Sequence, residues 1–481
     1  MPGSVPIYGV VHPMNESQPL FTVLRQSADK DAVAAIERLV ESGDDRELGR
    51  LNAVDFARRN GLDEERVIAA LLHASRLGLF ELSWNVLCPG CGGVLDAGTT
   101  LKTIHRDEYE CALCAAGYEP TLDEIVEVTF TVSQRVRKIA AHTPEELPFI
   151  EYFRQIFWGS GIDLPGNIDS LIEEITLEAV ELPPGEKALV SLTLPAAFII
   201  ILDPVTHATQ FIDVKGEPTR ERQNLALVFN KLRTPTGTIE MRPGPLRLSL
   251  DNQSGRRVLP GVWIAGDALH ALLGRRRPFL TAKRLLTNQV FRDLYGTDTI
   301  DVHQRLKITS LTFLFTDLKG STQLYERVGD LAAFDLVRAH FGVLNDIVAG
   351  EAGAVVKTIG DAVMATFPTP DRALAAALRM REAMRKLNDD RGNEDLSLKI
   401  GLHEGPCLAV VLNDRQDYFG QTVNIASRVQ NLAVSRSIFA TGSVLGDARS
   451  AALLERNGLT PMPRNEALRG ITEQMAVYEI P

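Results

Sequence analysis

The chain lacks any long hydrophobic run. Its longest uninterrupted apolar stretch runs only from Ala196 to Leu202, far below the roughly 20 residues that a membrane-spanning helix needs. No basic segment followed by an apolar stretch opens the sequence, so no secretory leader is expected and the expected compartment is the cytoplasm. A basic excess is missing as well. The formal net charge of -11 argues against a role in coating nucleic acid. Cysteine is scarce, five residues in all, and in a reducing compartment paired cysteines hold metal more often than they form disulfides. There is no internal repeat and no low-complexity tract.

What the chain does contain is enough apolar residue for several cores, 45% hydrophobic over 481 residues, a length that suggests about three domains. Residues 20–145 read as a helical module that ends in a cysteine-rich segment. The run "AVDFARRNGLDEERVIAALLHASRLGLFEL" has apolar residues at helical spacing around Gly61-Leu62-Asp63 and passes into a short strand. This helix-turn-helix-strand order is winged-helix-like. Its second helix mixes Glu64, Glu65 and Arg66 and has no basic face, which favours packing over DNA binding.

Four of the cysteines form two Cys-x-x-Cys turns, Cys88/Cys91 and Cys111/Cys114, separated by 19 residues. Each such turn points two thiolates at one tetrahedral ion, and two turns complete the coordination. The pattern resembles a zinc ribbon, and a site with four sulfurs has no open position, so the expected Zn²⁺ is structural. Residues 146–272 are β-rich: "ALVSLTLP", "AFIIILDP", "TQFIDVKG", "GTIEMRPGPLRLSLDN" and "LPGVWIAG" are short β-prone runs cut by Gly, Pro and Asn. A sandwich or barrel is expected. "GVWIAGDALH" has no Gly-x-Gly-x-x-Gly before it, which excludes a flavin site of that kind. Residues 273–306 read as a linker with one helix from about Phe279 to Tyr295.

Residues 307–481 carry the chemistry. Their pattern predicts βααββαββαβ, an α+β domain whose mostly antiparallel sheet is covered on one side by helices. Strands are expected at 311–316, 354–359, 362–367, 396–402, 405–412, 438–441 and 476–480, and helices within 321–350, 371–388 and 420–432. The strand ending in "FTDLKGST" delivers Asp317 to its tip, and "VVKTIGDAVMATF" delivers Asp361 to the turn between two strands. Alone, Asp317 reads as a helix cap and Asp361 as a hairpin residue. Together, two carboxylates at the tips of neighbouring core strands point to a hard cation bound with substrate phosphates.

"FTDLKGST", "KTIGDAVMATF" and "DYFGQTVNIASRV" resemble the three signature blocks of the class III nucleotidyl cyclases, in that family's order. The resemblance covers residues 307–481. It implies a ferredoxin-like catalytic domain that forms a cyclic 3′,5′-nucleotide and pyrophosphate at the interface of a head-to-tail homodimer. It implies two Mg²⁺ or Mn²⁺ ions at Asp317 and Asp361. Lys357 and Asp417 match the pair that reads the base; a lysine donor and an aspartate acceptor suit adenine, so ATP is the expected substrate. Asn424 and Arg428, four apart on one helix face, match the residues that orient the ribose and neutralise developing phosphate charge. Arg469 stands where the family has a lysine on the terminal phosphates. The turn after Asp317 offers a phosphate cradle at a helix start. His403 and Cys407 read as packing residues.

The alternatives are a guanylate cyclase, or a silent signalling or DNA-binding regulator that keeps the fold for dimerisation. No Gly-Gly-(Asp/Glu)-(Asp/Glu)-Phe block of a diguanylate cyclase is present. The N-terminal region is expected to be regulatory and to meet an unknown ligand or partner.

Overall fold

Helix caps and alternating strands punctuate the first half of the chain. Asp29, Asn52 and Asp63 cap the helices Lys30–Ser42, Ala53–Asn60 and Glu64–Arg76 with their side-chain oxygens. Gly61, at φ +64°, closes the second of these in the left-handed region that glycine enters without strain. The computed structural model describes residues 14–230, 237–296, 300–301, 303–319, 326–391, 397–412, 415–433, 437–464 and 475–481. The chain divides into two units. The first comprises the residues up to Thr99, Arg106–Glu119 and Glu127–Leu280, and the second Thr100–His105, Pro120–Val126 and Thr281–Pro481.

In the first unit the helices lead into β1 (Phe80–Leu87), which pairs with β2 (Val94–Gly98) and β5 (Val126–Val132) in one sheet. Between them lies the hairpin β3 (Tyr109–Cys111) and β4 (Ala116–Tyr118). A sandwich follows. Its larger sheet runs β11 (Ile239–Met241), β9 (Thr209–Val214), β8 (Phe198–Leu202), β13 (Gly261–Ala265) and β6 (Thr176–Ala179). The smaller runs β10 (Gln223–Phe229), β12 (Gly244–Asn252) and β7 (Lys187–Leu194). Because side chains alternate across a strand, Ile199 and Ile201 of β8 face Leu246, Leu248 and Leu250 of the smaller sheet, and Ile200 and Leu202 join a second core. That second core is aromatic, with Phe153, Phe157, Trp158 and Trp263 packed together.

The second unit is built on one eight-stranded sheet, ordered β15 (Ala354–Ile359), β16 (Ala362–Phe367), β14 (Leu306–Leu318), β17 (Leu398–Leu412), β19 (Ile438–Thr441), β21 (Val477–Ile480) and β20 (Met462–Arg464). β18 (Arg415–Phe419) pairs with the far half of β17. All pairings are antiparallel except β17 with β19. Two findings differ from the sequence expectation. The strands expected at 396–402 and 405–412 are one strand, β17, because Gly405 continues the ladder to β14 instead of breaking it. Helices also cover both faces. Asp330–Gly350 and Pro370–Arg391 share a core with Leu314, Ile400, Ile438 and Ala440. Gln421–Leu432 packs through Ile425 and Val429 against Phe439, which the alternation of β19 turns to the opposite side. Among the described residues no helix is long and apolar enough to cross a membrane.

The Gln421–Leu432 helix lies so close to β17 that a Cβ on Gly401 would sit 2.2 Å from the Gln430 backbone nitrogen. Backbone cannot rotate away as a flexible side chain can. We therefore expect Gly401→Ala to push this helix off the sheet and to cost about 1–3 kcal/mol of stability. Thermal denaturation of the variant checks this, and an unchanged midpoint contradicts it.

Candidate active site

Asp317 ends the buried run of β14, directly across from Lys399 of β17, whose Nζ lies 3.8 Å from its Oδ2. On its other side Thr316 pairs with Val363 of β16, and the Thr316 hydroxyl accepts a hydrogen bond from the Val363 N–H. β16 begins at the two-residue turn Gly360-Asp361, where Gly360 adopts φ +63°. A hairpin this tight needs a residue free to enter positive φ, and the turn brings Asp361 beside the tip of β14. Burial raises the Asp317 pKa above the ordinary carboxylate value, and the charge of Asp361 raises it further, with Lys399 partly opposing. Oδ2 of Asp361 is buried and has no hydrogen-bond partner among the described residues. Two facing carboxylates, one with an orphaned oxygen, fit a hard divalent cation.

Two residues near this pair were not picked out by sequence reading. Lys399 is an ordinary lysine in a strand until the register sets it opposite Asp317. His340, on the Asp330–Gly350 helix, is fully buried; its Nδ1 contacts Met384 Sδ at 3.4 Å and its Nε2 has no partner among the described residues. Burial lowers its pKa to about 4, and the Asp361 carboxylate pulls the other way. Its apolar helical neighbours hide it in the sequence.

Lys357 and Asp417 come together from different strands, with Lys357 Nζ 2.5 Å from Asp417 Oδ2. Asp417 is buried, and its other oxygen accepts from the Tyr418 N–H at 2.8 Å. This sets a cationic donor next to an anionic acceptor at one partly open spot, with the lysine side chain 40% exposed. Asn424 and Arg428 lie one turn apart on the Gln421–Leu432 helix, with Asn424 exposed and Arg428 half-buried, while Ile425 and Val429 are buried. Among the described residues no hydrogen bond or ion pair links the carboxylate pair, the Lys357–Asp417 pair and this helix face to one another. Arg469 and the turn from Gly320 to Tyr325 lie outside the described residues. His403 is buried, bonded through Nδ1 to the Thr441 hydroxyl at 2.9 Å, and burial lowers its pKa to about 4. Cys407 is buried and its pKa is pushed up to about 12.

The first unit gathers Cys88, Cys91, Cys111 and Cys114, all unbridged, with every sulfur within 4.8 Å of the others. Cys88 and Cys114 are 3.5 Å apart and Cys91 and Cys111 3.6 Å. A tetrahedron of Zn–S bonds has sulfur–sulfur edges of about 3.8 Å, so these thiols fit such an ion. Without a cation they cannot ionise together. Hydrogen bonds from Cys111, Cys114 and Cys91 lower the pKa of Cys88, and the same cluster raises that of Cys91.

Residues 304–475 match the family model described as the adenylate and guanylate cyclase catalytic domain. With this sheet and these carboxylates, the second unit is a class III cyclase domain. Residues 14–293 match a second model, a family of unknown function (DUF5939), over more than half of the chain, and the chain belongs to that family. An adenylate cyclase of Anabaena cylindrica is 30% identical over 185 residues, 35% of this chain and 36% of that protein. A pH-sensitive adenylate cyclase of Mycobacterium tuberculosis is 31% identical over 249 residues, 50% of this chain and 56% of that protein. The chain thus spans about a third to just over half of these relatives' lengths. The crystal structure of the adenylyl cyclase CyaB from P. aeruginosa matches with 21% identity and a TM-score of 0.32, covering 37% of this chain and 96% of that one.

The raised pKa of Asp317 fixes a pH dependence. The folded state holds the proton more tightly than the unfolded chain does, so the ionised carboxylate costs stability, and this cost grows as pH rises from the ordinary value of 3.8 through the raised one. Without divalent metal, Asp317→Asn is expected to melt above the parent protein at pH 7. The two melting curves should converge as the pH falls toward 3.8. A variant that melts below the parent at pH 7 would contradict this.

Proposed function

We propose that the second unit converts ATP to 3′,5′-cyclic AMP and pyrophosphate at a site completed by a second copy of the chain. The observation that carries the reading is the Lys357–Asp417 contact. The Watson–Crick edge of adenine presents the N1 acceptor beside the exocyclic amine donor, and Lys357 Nζ and Asp417 Oδ2 offer the complementary donor and acceptor side by side. Guanine presents the reverse order. A pocket that bonds one edge leaves its own buried groups unpaired with the other, which discriminates strongly.

Asp317 and Asp361 would hold Mg²⁺ or Mn²⁺, which supplies Lewis-acid polarisation of the ribose 3′-hydroxyl and charge neutralisation at the triphosphate. The chain's own residues do the rest. Asn424, exposed on its helix, orients the ribose. Arg428 meets the negative charge that grows at the α-phosphate and the leaving pyrophosphate, from a helix fixed in place before reaction. Arg469 would contact the terminal phosphates. The exposed apolar residues Ile359, Leu412 and Phe419 border the strands that carry Lys357 and Asp417. Covering them with a second copy removes apolar surface from water, which supports a homodimer. The four cysteines would hold one structural Zn²⁺, and the first unit would regulate the second in a cytoplasmic enzyme.

Cyclic AMP formation with Mn²⁺ is expected to fall at least a hundredfold in Asp361→Ala, more than the loss of an outer-shell metal partner brings. Lys357→Glu with Asp417→Cys should move preference from ATP toward GTP. Preference for GTP in the parent protein, or for ATP in the exchanged one, would refute the base assignment. For the cysteines, elemental analysis should find one zinc per chain, lost in Cys88→Ser with a lower melting temperature of the first unit. A chain that folds identically with no bound metal would refute that site.

A further inference from the structure

Lys357 and Asp417 stand on strands that share no backbone ladder, since β15 pairs with β16 and β18 with β17. Their own ion pair is the contact that a base would have to replace, so it cannot also hold them apart when a base is bound. In β15 the register slips between Val355 and Lys357. A bulge of this kind re-aims the neighbouring side chain and takes backbone groups out of the ladder, and buried backbone groups need other partners.

One short helix supplies them. Gln289–Tyr295 is capped by Asn288, whose side chain accepts from the Phe291 N–H at 3.1 Å. Phe291 is 1% exposed and stacks on Tyr295 with ring centroids 4.9 Å apart. From this anchored helix, Gln289 Oε1 accepts from the Val355 N–H at 2.8 Å. Arg292 Nη2 donates to the Val356 carbonyl at 3.4 Å and to the Gln416 carbonyl at 3.0 Å. Val356 and Gln416 are the residues immediately before Lys357 and Asp417. Nη1 of Arg292 is buried without a partner among the described residues, so the guanidinium has given up water to reach these carbonyls. A second tie runs from the Tyr418 hydroxyl to the Leu286 carbonyl at 3.4 Å.

We propose that Arg292, with Gln289, is a positioning residue for base recognition: it joins the β15 bulge to β18 and so sets the separation of Lys357 and Asp417. The proposal rests on the reading of that pair as the base-reading pair. Binding constellations work only when held to about half an ångström, and a planar guanidinium reaches two carbonyls at once where an ammonium reaches them less rigidly. The same helix falls at the end of the DUF5939 match, which stops at residue 293, although it lies in the cyclase unit. A shift of this helix would therefore alter base recognition without touching Asp317 or Asp361.

The test uses full-length chains carrying Arg292→Ala, Arg292→Lys, Lys357→Ala, or both alanine changes, assayed with ATP and with GTP in Mn²⁺, with thermal melting of each. For Arg292→Ala the expected result is a KM for ATP raised about tenfold and an ATP-over-GTP ratio lowered by a similar factor, with kcat moving far less. Arg292→Lys should recover part of the loss. In the double variant the discrimination should fall little beyond that of Lys357→Ala, because both changes act on one contact. A folded Arg292→Ala chain with the parent KM and ratio overturns the proposal. So does an equal loss of kcat for both nucleotides with the ratio intact. If the alanine chain does not fold, Gln289→Ala removes one acceptor from the bulge and leaves the guanidinium; a raised KM for ATP supports the proposal and an unchanged one overturns it. A ratio that Lys357→Ala leaves untouched overturns the base-reading assignment and this proposal with it. A ratio lost in Lys357→Ala and kept in Arg292→Ala overturns this proposal alone.

Discussion

Two like charges held side by side govern the second unit. Burial makes Asp317 harder to ionise, and the charge of Asp361 beside it adds to that. A fold does not keep such an arrangement for stability, since an apolar pair would pack at lower cost. It is kept in place by backbone that has no freedom to relax. β14 is clamped between β16 and β17, the Thr316 hydroxyl ties it to Val363, and Gly360 turns the hairpin in two residues. The repulsion is one that a bound cation would offset.

The remaining chemistry is distributed over elements that each have a separate structural reason to be where they are. Gly401 lets the helix with Asn424 and Arg428 settle onto β17. The bulge of β15 turns Lys357 toward Asp417, and the helix before the sheet satisfies that bulge. Short pieces from early in the chain also belong to this unit. Asp123 accepts from the Thr309 and Ser310 N–H groups, and the Gln304 side chain donates to the Leu101 and Ile104 carbonyls. The stretch between these pieces, Arg106–Glu119, carries Cys111 and Cys114 and belongs to the first unit. Chain connectivity therefore leads directly from one half of the cysteine cluster into the cyclase domain on both sides.

Much of this was legible in the sequence. Short-range patterns need no partner to be read: a Cys-x-x-Cys turn, an apolar run before Asp317, a Gly-Asp turn, and two polar residues four apart on a helix. Longer-range features were not. The pattern reads as two strands that stop at Leu402 and restart at Gly405, yet the ladder to β14 carries β17 through His403 and Glu404 without a break. "RQDYF" reads as loop, but pairing with β17 makes it β18. Arg292 gives no signal within its expected helix, because its partners are the carbonyls of Val356 and Gln416, and every residue has a carbonyl.

The sequence alone determined which chemical groups are available and their local order: two carboxylates at strand ends, a lysine and an aspartate in separate motifs, four thiols in two turns, and an α+β domain after a β-rich one. Tertiary structure decided which of them meet. It set Lys399 across from Asp317, left one oxygen of Asp361 without a partner, brought Lys357 to Asp417, and put Arg292 behind both. The reason is that local patterning reflects interactions between neighbours in the chain, whereas register, bulges and helix docking are fixed by backbone hydrogen bonds and packing between residues far apart, which one linear pattern does not encode.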